Sequence, residues 1–471
     1  MSDDRAPAQA DERAPGRPEV APADDAYGLH LEDERAVIEA LDAGDTETVR
    51  GLVLPMHYAD VAGLLHRLDA DKRTRLVQAI GDDLNPDTLS ELDETVREQV
   101  IRELGFSTLA AAVHEMESDD AVHVVAHLDA ETREQVLSAL DAAERALIEQ
   151  GLSYPEETAG RLMRRELVAV PAYWTVGETM DYLRTSRSLP EEFYNIFVVD
   201  PRHRPVGMIR LSRLVCAPRR ERLEAIADTD MTLIPASMNQ EEVAFLFRRH
   251  NLLSAAVVDS AGRLLGTVTV DDVVDVIDEE AEDDLMRLGG VAESDLYTPI
   301  LRTARSRLTW MVVNLGTAIL ASLVIALFQD TLDQIVALAV LMPIVASMGG
   351  NAGIQTLTVA VRAIATRELS PTNAWRLLGK EGLVGGLNGL ALAAVTGVVA
   401  WLWFGDWALG GVIALAMILT LIVAGLSGAA IPLALERLRI DPAVASGIFL
   451  TTITDVVGFF TFLGIAGLLL L

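Results

Sequence analysis

The chain has 471 residues, 51% of them hydrophobic, and a formal net charge of −31 that is confined to its first part: residues 1–301 carry 29 basic and 61 acidic side chains, residues 302–471 carry 9 and 8. There is no basic footprint for DNA or RNA, which removes nucleic acid as a partner class, and a single cysteine, Cys216, removes a disulfide framework or a thiolate metal cluster. A surface this acidic repels itself and gathers cations, divalent ones above all.

Residues 1–24 read as a disordered acidic tail, with no apolar core for a signal sequence. Residues 25–155 read as a helical domain. A motif recurs there as "LDADKRTRLVQAI", "LDETVREQVIREL", "LDAETREQVLSAL" and "LDAAERALIEQGL". Each copy has Leu-Asp, then Arg five residues after the Leu, then apolar residues at helical spacing. The Asp reads as an N-cap, and stacked short helices of this kind make a small superhelical domain. His57, His66, His114, His123 and His127 lie among them without the paired spacing of a zinc site.

Residues 156–278 hold an internal repeat. "FVVDPRHRPVGMIRLSRLV" aligns with "AVVDSAGRLLGTVTVDDVV" at an offset of 59 residues, each reading as strand, turn, strand and helix start. The pair, 156–220 and 221–278, resembles tandem CBS domains, which are regulatory modules rather than catalysts. Gly266, Thr269 and Asp272 stand in a G-x-x-T-x-x-D arrangement that resembles the ribose-phosphate element of nucleotide-binding CBS domains, which would make ATP a regulator; capping of a strand-to-helix junction explains the same residues. The first copy has Arg210 and Arg213 at the matching positions. Cys216 reads as a small buried apolar residue.

Residues 279–306 read as a connecting helix, and the run across its start is densely acidic: Asp272, Asp275, Glu279, Glu280, Asp283 and Asp284 fall within a few helical turns. Carboxylates four apart on a helix destabilise it unless something neutralises them. A solvated face and a cation site both fit that pattern.

Residues 307–471 contain five apolar segments, 310–328, 335–361, 383–404, 408–435 and 443–471, each reaching the ~20 residues a helix needs to cross hydrocarbon. Arg and Lys alternate with their absence in the connectors, which by the positive-inside rule puts the N-terminal part in the cytoplasm and the C-terminus outside. The segments so bounded contain one ionisable residue, Asp455, near the middle of the last. A carboxylate there costs ~3 kcal/mol on insertion scales, so it reads either as the partner of a permeating cation or as an Asp bonded to Thr451, Thr452 and Thr454. In the second segment, Pro343 with Gly349, Gly350 and Gly353 invites a kink or an unwound turn whose carbonyls could face an ion, and Asn351 and Gln355 beside them fit a polar pathway. "GGLNG" and "AGLSGAA" read as packing faces.

The runs "MGGNAGIQTLTVAVRAIATREL" and "DPAVASGIFLTTITDVVGFF" resemble the MgtE family of magnesium channels, and the resemblance extends from about residue 25 to the end. It implies a multi-domain membrane protein with an all-α N-terminal superhelical domain, α/β tandem CBS domains and a five-helix transmembrane domain, placed as a homodimer in a bacterial-type inner membrane. It implies that Asp455, with Asn351, Gly350 and Thr451, meets Mg²⁺ in a pore on the two-fold axis. It implies further that Asp272, Asp275, Glu280, Asp283 and Asp284 bind cytosolic Mg²⁺, with the following helix as a plug. Ile354 stands where some members carry a polar residue, so that contact is lost here. Mg²⁺ keeps much of its water, which suits a site of few carboxylates, although oxygen donors do not separate it sharply from Mn²⁺, Co²⁺ or Ca²⁺.

These features predict a magnesium uptake channel shut by its own ion rather than an enzyme. A cation carrier or exchanger with CBS regulation also accommodates a lone Asp455. A membrane-anchored CBS sensor leaves Asp455 unexplained.

Overall fold

The computed structural model describes residues 29–186, 189–190, 192–291, 300–369, 373–438 and 440–471; the acidic tail expected at 1–24 lies outside the described residues. The chain divides into two compact units, Met1–Gln240 with Leu253–Thr269, and Glu241–Leu252 with Val270–Leu471.

The first unit opens with helices: α1 (Leu31–Ala43), α2 (Thr46–Val53), α3 (Tyr58–Arg67), α4 (Ala70–Ile80), α5 (Glu94–Leu104), α6 (Phe106–Glu115), α7 (Ser118–Ala126), α8 (Ala130–Ala139) and α9 (Ala142–Leu152). Three of the four Leu-Asp motifs cap as the sequence implies. Asp69 accepts from Lys72 N at 2.9 Å, Asp129 from Glu131 N and Thr132 N at 3.0 Å, and Asp141 closes a capping box with Glu144. Asp93 departs: its side chain caps nothing, and its own N–H donates to His66 Nε2 at 3.0 Å.

In two copies the Arg of the motif closes the preceding helix, and in a third it binds the turn before its own. Arg73 donates to the carbonyls of Leu65 (2.8 Å) and Leu68 (2.9 Å), Arg97 to that of Leu92 (3.0 Å), and Arg133 to those of Val125 (3.1 Å) and Leu128 (3.0 Å). A helix C-terminus leaves orphan carbonyls that attract a cation, so at Arg73 and Arg133 the motif Leu-Asp-x₃-Arg ends one helix and starts the next, whereas Leu92 lies in the turn before α5. Arg145 in the last copy pairs instead with Glu149 at 2.7 Å.

The repeat follows with α10 (Ala159–Leu162), α11 (Val176–Thr185), α12 (Leu211–Cys216) and α13 (Leu223–Ile226), and with two three-stranded sheets: β1 (Val168–Pro171), β2 (Asn195–Val199) and β3 (Pro205–Arg210), then β4 (Leu233–Pro235), β5 (Ser254–Val258) and β6 (Leu264–Thr269). In each sheet the first pair is parallel and the second antiparallel, with a register shift at Val198/Val199 and again at Val257/Val258, 59 residues apart. The 59-residue offset also marks where the copies meet, because Asn195 Nδ2 donates to Ser254 Oγ at 2.7 Å and both are buried.

The second unit contains α14 (Gln240–His250) from Glu241 on, the acidic helix α15 (Val270–Leu288), α16 (Ile300–Ala326), a short α17 (Gln329–Gln334), α18 (Ala337–Ala365), α19 (Ala374–Phe404), α20 (Trp407–Arg437) and α21 (Pro442–Leu469). No separate helix spans 279–306 among the described residues: α15 already runs from 270 to 288, and 300–306 belongs to α16. Five helices, α16 and α18–α21, are long and apolar enough to cross a membrane. At 27 to 31 residues and 1.5 Å per residue they exceed ~30 Å of hydrocarbon by about two to three turns. The most buried of the five is α20. Its core with α18 and α21 includes Leu341, Val345, Ile413, Ala416, Phe462 and Leu463.

The two glycine-rich runs do pack backbones closely. A Cβ at Gly385 would lie 2.4 Å from the Leu421 carbonyl oxygen, and one at Gly389 3.0 Å from Ile418 Cα, so α19 and α20 meet without side chains between them. A Cβ at Gly428 would lie 2.7 Å from the Gly353 oxygen, which joins α20 to α18 in the same way.

Candidate ion pathway

Asp455 sits at the middle of α21, half-buried, and among the described residues its carboxylate makes no hydrogen bond or ion pair. The neighbouring hydroxyls are committed elsewhere. Thr451 donates to the Gly447 carbonyl (3.1 Å), Thr452 to that of Ile448 (2.7 Å) and Thr454 to that of Leu450 (3.0 Å). Bonding from the three threonines is therefore not what holds Asp455 in place.

The expected break in the second membrane helix is absent: α18 is helical from Ala337 to Ala365 with Pro343 inside it. The glycines are spent on packing instead. A Cβ at Gly349 would lie 2.7 Å from Thr420 Cγ2 and 3.6 Å from Thr454 Cβ, and one at Gly353 2.9 Å from Leu450 Cδ1. Only Gly350 of the three opens on free space. With those faces buried, Ser347, Asn351, Gln355, Thr358 and Arg362 form an exposed polar stripe along α18, with Ile354 exposed beside it. Their spacing of three and four residues keeps them within a quarter-turn of the helix surface.

Sequence reasoning missed a second carboxylate. The helix α19 begins at Ala374, nine residues before the apolar run from which its position was read, and so includes Glu381, which is only 7% exposed. A charge just ahead of an apolar run looks like part of a connector.

The acidic helix supplies a second centre. Asp283 and Asp441 share Arg287, at 2.8 and 2.7 Å. Partial burial, then the facing carboxylates of Asp441 and Glu280, hold the Asp284 acid above the usual carboxylate range. Glu241 on α14, partly open to solvent, is raised by lost solvation and then by Glu280, with Arg367 opposing. Glu280, Asp283 and Asp284 are thus drawn together with Glu241 and Asp441, which are remote in sequence and gave no signal there. Asp272 and Asp275 lie two to three turns earlier on α15, half-buried and exposed. No three acidic, His or Cys groups among the described residues converge as ready metal ligands. Beyond the carboxylates, Leu288 at the end of α15 packs on Leu357 and Val361 of α18 and Leu450 of α21.

In the repeat, Gly266 and Thr269 lie on β6 and Asp272 on α15, in different units. A Cβ at Gly266 would lie 2.7 Å from the Arg164 oxygen, so this glycine serves close chain packing. A cavity of about 480 Å³ lies chiefly in the first copy, lined by its Met208, Arg210, Ser212, Arg213 and Cys216 and by Asp228 of the second. Cys216 is exposed there, contrary to the buried role expected of it: it ends a short helix on which Leu214 alone is buried.

Five apolar helices, one bearing an unpartnered carboxylate at mid-span, joined to a CBS pair define the class as a CBS-regulated membrane transporter. Residues 342–465 match the divalent cation transporter family MgtE, 56–157 the MgtE intracellular N domain, and 159–219 and 223–279 the CBS domain. The magnesium transporter MgtE of Bacillus subtilis (strain 168) is 30% identical over 431 residues, covering 91% of this chain and 96% of that protein. The magnesium transporter MgtE of Thermus thermophilus is 34% identical over 449 residues, covering 93% and 99%. A crystal structure of the cytosolic domain of the Mg²⁺ channel MgtE in complex with ATP covers 52% of this chain and 99% of that one, at 31% identity and a TM-score of 0.49. The chain belongs to the MgtE family of magnesium transporters.

Proposed function

We propose that this transporter is a channel in which α18 and α21 of two copies line one pathway, that Asp455 of each copy faces a hydrated Mg²⁺, and that cytosolic Mg²⁺ shuts it through α15. The observation that carries the reading is Asp455, a mid-span carboxylate without a protein partner. Two such groups facing one another repel, and a dication between them relieves the repulsion. Asn351 and Thr451 add side-chain oxygens on the same two helices, and Gly350 leaves open space beside Asn351. The polar stripe of α18 supports a second copy, since Ser347, Asn351 and Gln355 facing acyl chains would each leave polar groups unsatisfied in hydrocarbon.

Gating draws on the crowded acids. With Mg²⁺ plentiful, ions neutralise Asp272, Asp275, Glu280, Asp283 and Asp284, so that α15 stays against α18 and α21 with Leu288 as a plug. When the ion is scarce, like charges drive α15 away. Such a shift requires only that the shut state bind the ion more tightly than the open one. In a bacterial-type inner membrane with a cytoplasmic N-terminus, the membrane potential contributes ~2.3 kcal/mol per charge per 100 mV, twice that for Mg²⁺.

ATP fits as a regulator in the first repeat, whose cavity offers Arg210 and Arg213 to phosphates; Arg213→Ala should weaken nucleotide binding to the full-length protein.

The decisive experiment measures Mg²⁺ flux into liposomes for the native protein and for Asp455→Asn. Flux lost in the variant is the expected result, and undiminished flux overturns the reading.

A further inference from the structure

Glu381 is a buried carboxylate with no part in the pathway described so far. Its Oε2 accepts a hydrogen bond from Thr356 Oγ1 of α18 at 3.2 Å. Its Oε1 lies 3.8 Å from Lys380 Nζ, whose side chain is 68% exposed and therefore largely screened by water. The backbone around Glu381 is equally confined, since a Cβ at Gly425 of α20 would lie 2.6 Å from its carbonyl oxygen.

Thr356 differs from the other threonines of α18. Thr358 donates to the Ile354 carbonyl at 3.0 Å, and Thr366, just past the helix end, donates to that of Arg362 at 2.9 Å. Thr356, buried, spends its proton on another helix, one residue from Gln355 of the polar stripe. Its Cβ also lies where Gly428 of α20 comes close: a Cβ at Gly428 would be 2.9 Å away. Because α19 packs chiefly on α20, the Thr356–Glu381 bond is a direct polar tie between α19 and α18 at a point where three helices meet. A helix held there cannot turn about its axis without breaking the bond or colliding with α20.

We infer that Glu381 is a positioning residue: as acceptor for Thr356 it fixes the rotation of α18, and with it the direction in which Asn351 and Gln355 face. The inference rests on reading α18 as a lining helix.

The test is Mg²⁺ flux in liposomes as a function of Mg²⁺ concentration for the full-length protein. Glu381→Leu and Thr356→Val should each raise the half-saturating concentration about tenfold, as loss of a buried hydrogen bond that leaves its partner unsatisfied would, with a smaller effect on maximal flux per folded protein. The double variant should be no worse than the poorer single one, since the two share one interaction. Thr356→Ser and Glu381→Gln, which keep donor and acceptor, should stay within about twofold of the native value. Should Glu381→Leu fail to fold, the Thr356→Val and Thr356→Ser pair carries the test alone. Equal values for that pair, additive single effects, or Glu381→Gln as impaired as Glu381→Leu overturns the assignment. Asp455→Asn in the same liposomes separates the two readings: if it conducts normally the pathway itself is misplaced, and if it is dead while the Thr356 and Glu381 variants are native-like, only Glu381 is.

Discussion

Arg287 donates to Asp441 at 2.7 Å and to Asp283 at 2.8 Å, so one guanidinium fastens the end of α15 to the residue that precedes α21. Asp455 lies fourteen residues further along that helix. Removing the clasp with Arg287→Ala leaves Asp283, Asp284 and Asp441 facing one another with less positive charge among them. Under the gating proposal, the internal Mg²⁺ needed for half-inhibition should rise a few-fold, consistent with half-exposed ion pairs worth ~1 kcal/mol. Dose–inhibition curves in liposomes of set internal Mg²⁺ would detect it; an unchanged midpoint would dissociate the clasp from gating.

Replacing Asp272, Asp275, Glu280, Asp283 and Asp284 together with Ala removes the ligands through which Mg²⁺ would hold α15 in the shut state. Flux should then continue at internal Mg²⁺ that silences the native protein. Inhibition that persists in this variant would refute the sensor.

Asp284 links the same cluster to pH. Its acid is raised in the folded arrangement by burial and then by Asp441 and Glu280, so the folded form binds its proton more tightly than the unfolded chain does. Stability from this group is therefore complete below the ordinary carboxylate range and is lost as pH rises through the raised value. Without divalent ions, proteolytic protection of residues 270–291 should fall as pH climbs through that window. Added Mg²⁺ should restore it at neutral pH, and Asp284→Asn should flatten the profile.

Gly425→Ala would drive a methyl into the Glu381 carbonyl oxygen, 2.6 Å away on a backbone that cannot swing aside. Overpacking of this kind costs about 1–3 kcal/mol and should lower the thermal midpoint in detergent. Gly411→Ala on the same helix meets nothing within 4 Å and should leave the midpoint unchanged or slightly raised.

The features legible in the sequence were those carried by local pattern. The 59-residue repeat, the Asp caps at 69, 129 and 141, the five apolar helices and the small-residue spacing of the 385–389 and 424–430 runs can each be read from neighbours along the chain. Asp455 stood out because nothing near it was charged. Glu381 did not, because its burial comes from α20 folding over a stretch that reads as polar connector. Asp441 and Glu241 join the acidic cluster only through tertiary contact. The glycines of α18 misled for a related reason: the sequence shows missing side chains but not the threonine and leucine that fill the space, and packing removed the need for a broken turn.

The threonines flanking Asp455 have one more effect. Because each hydroxyl proton is already turned inward to the helix carbonyl, what Thr451 and Thr452 can offer a visitor is lone pairs alone. On the proposed pathway, a chloride arriving at that level of α21 would meet no hydroxyl proton to bind, whereas a water shell oriented by a metal ion, hydrogens outward, would find acceptors waiting.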